Sequence, residues 1–209
     1  VPTKRGDLIL GTSGGFVRFD LATGELSPII DPEQDLPNNR FNDGKVDPEG
    51  RLWAGTMGVN EAPNVGSLYR LNRNLSTDKL FDQVSISNGM AWTLDQKTYY
   101  YIDSPTRRID VFDSDMASGT VSDRRKAFEL PEGMGYPDGM CIDDEGMLWV
   151  ALWQGWGVGR FAPDGTLLAK VDVPVECVTS CCFGGENWDE LYITSSSRCL
   201  LYTSDAADE

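Results

Sequence analysis

"RFNDGKVDPEGRLWAGTM", residues 40–57, crowds Arg40, Asn42 and Asp43 together just ahead of a strand-like run. "RLWAGTM" is rich in apolar and aromatic residues. The "DPEG" before it is turn chemistry, with Gly accepting φ > 0 and Asp bonding locally. The same grammar recurs. "NGMAWTLDQKTYYYIDS" starts at Asn88, "DGMCIDDEGMLWVALW" at Asp138 and "TSCCFGGENWDELYITSS" at Thr179, and hairpins such as "GSLYRLN" and "GVGRFAPDG" follow the earlier units.

Aligning the units puts Asp43, Asn88, Asp138 and Thr179 at equivalent strand entrances, roughly 40–50 residues apart, a period characteristic of propeller blades. No apolar period of 3.6 residues is sustained, so helices are expected to be few. A sandwich or jelly roll would space its strands similarly, but would not require the units to resemble one another. The expected fold class is all-β: a partial β-propeller of about four blades over residues 1–198, belonging to a larger ring.

Charged residues make up 24% and hydrophobic ones 40% of the 209 residues, which places the chain among globular rather than disordered sequences. Its formal charge of −15 excludes the basic footprint that nucleic-acid binding needs. No apolar run reaches the length of a membrane span. The chain starts at Val1 with neither an initiator methionine nor a signal-peptide pattern, and reads as beginning at a cut edge. "CLLYTSDAADE", residues 199–209, matches nothing upstream; it resembles translated sequencing-adapter DNA and is set apart from the fold.

Cys141, Cys177, Cys181, Cys182 and Cys199 form no paired CxxC spacing, so neither a disulfide framework nor a zinc site is expected. Buried free thiols point to a reducing compartment, and the expected localisation is cytoplasmic. Histidine is absent, which removes Ser-His-Asp and Cys-His catalysis. The remaining chemistry rests on carboxylates, amides, hydroxyls, lysine, arginine or a metal.

In a propeller, the entrances of the innermost strands meet at one mouth of the central channel. Asp43, Asn88 and Asp138 would gather there as a set of hard oxygen ligands, suited to Ca²⁺ or Mg²⁺ and tolerable for Mn²⁺ or Zn²⁺. "NG" and "DG" are also everyday turn signals. Recurrence at blade spacing weighs against that bland reading, and so do the neighbouring Arg40 and Asn42, because a guanidinium suits an oxygen-rich substrate.

"RFNDGKVDPEGRLWAGTM", "ISNGMAW", "YYYIDS", "PDGMCIDDEGMLWVA" and "TSCCFGG" together resemble the SMP-30/gluconolactonase/LRE family, on its regucalcin-like side, from about residue 7 to residue 196. The resemblance implies a six-bladed β-propeller with one divalent metal ion in its channel, and a hydrolase of sugar lactones such as gluconolactone with calcium binding. By motif, Asn88 and Asp138 are the implied metal ligands, Asp138 is also the implied catalytic acid/base, and Arg40 and Asn42 are the implied contacts to sugar hydroxyls. Asn60 of "GVNEAP" stands where the family has a substrate-facing glutamate. The family's "GESPVW"-type motif, with its glutamate ligand, has no counterpart in this sequence. With one ligand missing, these 209 residues are expected to hold metal poorly and to show weak activity.

The implied reaction needs a polarised carbonyl and an activated water, which a divalent ion and Asp138 supply without histidine. The alternatives are a propeller hydrolase of organophosphate or aryl esters, and a calcium-binding regulatory protein without turnover. The expected partner is a small-molecule sugar lactone rather than nucleic acid or a membrane.

Overall fold

Four short segments, "DPEG", "DDEG", "APDG" and "LDQK", reverse the chain in the computed structural model, and three of them do so with glycine at positive φ: Gly50 at 79°, Gly146 at 79° and Gly165 at 89°. In each of these three the glycine N–H donates to the carbonyl three residues earlier, on Asp47, Asp143 and Ala162. The structure describes residues 1–196; Cys199 and the "CLLYTSDAADE" segment lie outside them.

Between the turns the chain forms antiparallel meanders. The first is the three-stranded sheet of β1 (Leu8–Thr12), β2 (Gly15–Phe19) and β3 (Leu26–Ile30). The second joins β4 (Asn39–Val46), β5 (Leu52–Gly58), β6 (Gly66–Leu71) and β7 (Thr77–Val84). The third joins β8 (Ser87–Trp92), β9 (Thr98–Asp103), β10 (Arg108–Asp115) and β11 (Thr120–Glu129), with a 3₁₀ turn at Ser104–Thr106. The fourth joins β12 (Tyr136–Ile142), β13 (Leu148–Trp153), β14 (Gly157–Phe161) and β15 (Leu167–Asp172). The fifth holds β16 (Val178–Gly184) and β17 (Glu190–Ser195). The described residues form no α-helix, and no helix among them is long and apolar enough to cross a membrane. The all-β class and the strand-by-strand order expected from the sequence are present.

The described chain forms two compact units: Val1–Ser87 with Met116–Thr120, and Asn88–Asp115 with the chain from Val121 onward. In the first unit Phe16, Phe41, Leu52, Ala54, Tyr69 and Leu71 form the core where the first two sheets pack. In the second, Tyr100, Ile102, Phe128, Met140, Val150 and Phe161 fill the space between the third and fourth sheets. Cys141, Ala151, Val158, Val178 and Cys181 fill the next interface. Adjacent Cys181 and Cys182 face opposite sides of β16, the first buried and the second exposed, as strand alternation demands.

Two of the turns carry a repeated anchor. Asp47 accepts from the Glu49 and Arg51 backbone N–H groups, from Arg51 Nε at 2.6 Å and from Trp53 Nε1 at 2.9 Å. Asp143 does the same with Glu145 and Met147 N–H, Trp149 Nε1 at 2.9 Å and Arg160 Nε at 2.7 Å. In each of these two sheets one carboxylate thus ties its turn to an indole on the next strand and to a guanidinium, Arg51 at the end of the turn or Arg160 on β14.

The "NG" and "DG" pairs prove not to be turns. Gly44, Gly89 and Gly139 lie inside β4, β8 and β12, and none has positive φ. A Cβ on Gly89 would stand 2.7 Å from the Asp138 carbonyl oxygen and 2.8 Å from both Met140 Cγ and Ile102 Cδ1. One on Gly139 would collide with the Ser180 hydroxyl on β16. These glycines are required by the close approach of neighbouring first strands rather than by conformation. Gly89→Ala is therefore expected to destabilise the protein by about 1–3 kcal/mol through overpacking, read as a lower urea midpoint with an unchanged m-value.

Candidate functional site

Each aligned entrance whose strand register can be followed is a β-bulge. Pairing of β4 with β5 runs through Phe41 and Thr56 and resumes at Gly44 and Ala54, so that Asn42 and Asp43 oppose a single residue. Between β12 and β13 it passes from Pro137 and Leu152 to Met140 and Val150, leaving Asp138 in the bulge. Between β16 and β17 it passes from Val178 and Ser195 to Ser180 and Thr194, leaving Thr179. A bulge leaves a residue out of the ladder and re-aims its side chain, which is why bulges gather beside active sites. The chain repeats this device and fills it differently each time. Thr179 spends its hydroxyl on Thr194 Oγ1, 2.8 Å away in its own hairpin.

The strands that carry Asn88 and Asp138, the two implied metal ligands, pass close together in the second unit, with the Asp138 carbonyl oxygen 2.7 Å from where a Cβ on Gly89 would stand. Asn88 is buried, Asp138 half-buried. The Asn88 amide donates from Nδ2 to Ser104 Oγ at 2.7 Å, and the Ser104 hydroxyl donates to the Pro137 carbonyl at 2.6 Å. With Nδ2 turned to Ser104, Oδ1 lies at the other end of the planar amide. An amide oxygen and a carboxylate are hard donors, of the type that holds Ca²⁺ or Mg²⁺. Such an ion takes six to eight oxygens, and among the described residues no group of three or more His, Cys, Asp or Glu is gathered. The donor chemistry of the pair suits a hard divalent cation.

Arg40 and Asn42 are likewise brought together, in the first unit. Arg40 Nη1 donates to Asn42 Oδ1 and to the Phe41 carbonyl, both at 2.9 Å, and Asn42 Nδ2 donates to the Ser87 carbonyl at 2.8 Å. Both Arg40 bonds use Nη1, so Nε and Nη2 remain for an oxygen-rich ligand. Burial pushes the Asp43 carboxyl above the usual carboxylate range, against the pull of the Gly44 N–H at 2.7 Å and the charge of Lys45. Asn60 is exposed in the loop after β5 and turns its Oδ1 to the Ala62 N–H of its own turn at 3.3 Å.

Two contributors escaped sequence reasoning. Ser104 sits at the end of the quoted "YYYIDS", where nothing marks it as more than the start of a turn. Glu33, in the loop before β4, is buried, and its carboxylate accepts from Asn39 Nδ2 at 3.0 Å, Thr56 Oγ1 at 2.9 Å and Tyr69 OH at 3.0 Å. It thereby fixes the strand ends on which Arg40 stands. Its partners lie up to 36 residues away, so no local pattern announces it.

Residues 1–197 match the SMP-30/gluconolactonase/LRE-like region. The chain is 45% identical over 199 residues to regucalcin of Xenopus laevis, covering 92% of this chain and 67% of the relative. Among solved structures it is similar to a calcium-binding protein, regucalcin, from Agrobacterium tumefaciens, with TM-score 0.88, 31% identity and coverage of 93% of this chain and 66% of that one. It is also similar to a gluconolactonase from Xanthomonas campestris, with TM-score 0.76, 26% identity and coverage of 93% and 67%. The chain thus spans about two thirds of the length of these relatives.

Burial, with the Glu33 carboxylate beside it, pushes the Tyr69 phenol up to about 12. Between about pH 10, where a tyrosine in the unfolded chain ionises, and pH 12 the folded state keeps a proton that the unfolded chain has lost. Stability is full below that window and falls through it as pH rises, by up to about 1.4 kcal/mol per pH unit. Urea unfolding from pH 9 to 11.5 is expected to show this decline, and Tyr69→Phe to make it shallower by close to one proton.

Proposed function

The chain belongs to the SMP-30/gluconolactonase/LRE family, and on that premise we propose that the protein is a divalent-metal-dependent lactonase acting on sugar lactones such as gluconolactone. Each meander is, in this reading, one blade of a six-bladed β-propeller. The observation that supports the proposal is the Asn88–Ser104–Pro137 chain of hydrogen bonds, which ties the Asn88 amide to the residue just before Asp138 at its bulge.

Lactone hydrolysis requires attack by water on an ester carbonyl and protonation of the leaving alkoxide. Asn88 and Asp138 would hold the cation, with calcium the preferred ion and Zn²⁺, Mn²⁺ or Mg²⁺ the other candidates. A cation bound there supplies Lewis acidity toward the carbonyl and lowers the pKa of water. Asp138 takes the proton of the attacking water and returns it to the ring oxygen as the lactone opens. Arg40 offers Nε and Nη2 to sugar hydroxyls, and Asn42, locked by its bonds to Arg40 and Ser87, presents a fixed amide edge. Asn60 is the third proposed substrate contact; reaching substrate would require it to leave its own turn.

A second reading, calcium binding without turnover, is favoured by the resemblance to a structure described as a calcium-binding protein. One experiment separates them. In the lactonase reading, Asp138→Asn, nearly isosteric and expected to fold, lowers kcat for gluconolactone by about 10²–10⁴-fold, followed as acid release at constant pH. Saturable calcium binding with no lactone opening, in a form of the protein that also carries the family's glutamate ligand, would leave the second reading in place.

A further inference from the structure

We propose that Ser104 is a positioning residue, whose hydroxyl dictates which atom of the Asn88 amide is offered to a bound cation and pins the backbone that carries Asp138. The inference rests on the assignment of Asn88 and Asp138 as the cation-holding pair. A serine hydroxyl has one proton and two lone pairs. Here the proton goes to the Pro137 carbonyl at 2.6 Å, so only lone pairs face Asn88. The group that meets them at 2.7 Å must be the amide N–H. If the amide were rotated by half a turn, Oδ1 would face Ser104 Oγ, whose proton is already engaged, and two buried acceptors would oppose each other. The hydroxyl therefore excludes the orientation that would present nitrogen to a cation.

The same hydroxyl acts on the second ligand. Pro137 directly precedes Asp138 at the point where the ladder to β13 shifts register, and its carbonyl is anchored across 33 residues of sequence by this one bond. Ser104 is well placed to serve as a fixed post. It is buried, it opens a 3₁₀ turn with Pro105 next in line, and its own carbonyl accepts from the Arg107 N–H at 3.0 Å, with Arg107 in the left-handed region at φ 58°. Groups that orient metal ligands in this way commonly change affinity by about 10–100-fold when removed.

The test compares the unaltered protein with Ser104→Ala and the hydroxyl-retaining Ser104→Thr. Calcium is titrated by calorimetry, the Asn88 side-chain amide protons are followed by exchange in ¹⁵N-resolved spectra, and urea midpoints report folding. Expected are slowly exchanging Asn88 amide protons in the unaltered protein. In Ser104→Ala that protection is lost and calcium affinity falls about tenfold or more, while Ser104→Thr retains both. A folded Ser104→Ala with unaltered affinity and amide protection overturns the proposal. If the unaltered protein holds calcium too weakly to titrate, the amide spectra alone decide: protection lost in Ser104→Ala and kept in Ser104→Thr upholds the proposal, and protection unchanged in Ser104→Ala overturns it. Should Ser104→Ala not fold, rapidly exchanging Asn88 amide protons in the unaltered protein overturn the proposal, and protected ones retained in Ser104→Thr uphold it.

Discussion

Two peptide backbones cannot approach to van der Waals contact while a side chain stands between them, and the arrangement of this chain turns on where that obstacle is missing. At Gly89 the space of a Cβ is taken by the Asp138 carbonyl, at Gly139 by Ser180, and at Gly11 by the Phe41 side chain, 2.8 Å from where a Cβ would stand. Within each unit the first strands of neighbouring sheets can therefore lie close together. Only because they do so can one hydroxyl, that of Ser104, reach both Asn88 and the carbonyl ahead of Asp138.

That geometry explains what the sequence discloses and what it hides. Strands such as "RLWAGTM" and "TYYYID" and turns such as "DPEG" are local decisions, made by β-branched and aromatic residues and by glycine at positive φ, and they are legible residue by residue. The repeat is legible for the same reason. The glycines after Asn88 and Asp138 mislead, because a glycine demanded by crowding from a distant strand is spelled like one demanded by a turn. The pairing of Arg40 with Asn42 follows from their proximity in sequence. Ser104 and Glu33 were illegible because their partners are remote along the chain and the fold alone unites them. Asn60, assigned from alignment of a motif, lies in a loop where its oxygen already serves the local turn.

Acidity was a poor guide to function for a related reason. Many of the carboxylates have structural work. Asp47 and Asp143 each bind a turn, an indole and a guanidinium. Buried Asp110 pairs with Arg108 at 2.8 Å and Arg124 at 2.6 Å, and Glu33 is satisfied by three neutral donors. Of this population, Asp43 and Asp138 are set at bulges of their strands rather than at turn anchors.

The bulges carry a consequence for how such a protein diversifies. The residue at the bulge contributes little to strand pairing, so its identity can drift while the surrounding blade keeps its stability. Asp43, Asp138 and Thr179 are three tenants of one kind of socket. Lineages that exchange such a residue keep the scaffold folded, and so alter the chemistry of one strand entrance at a time.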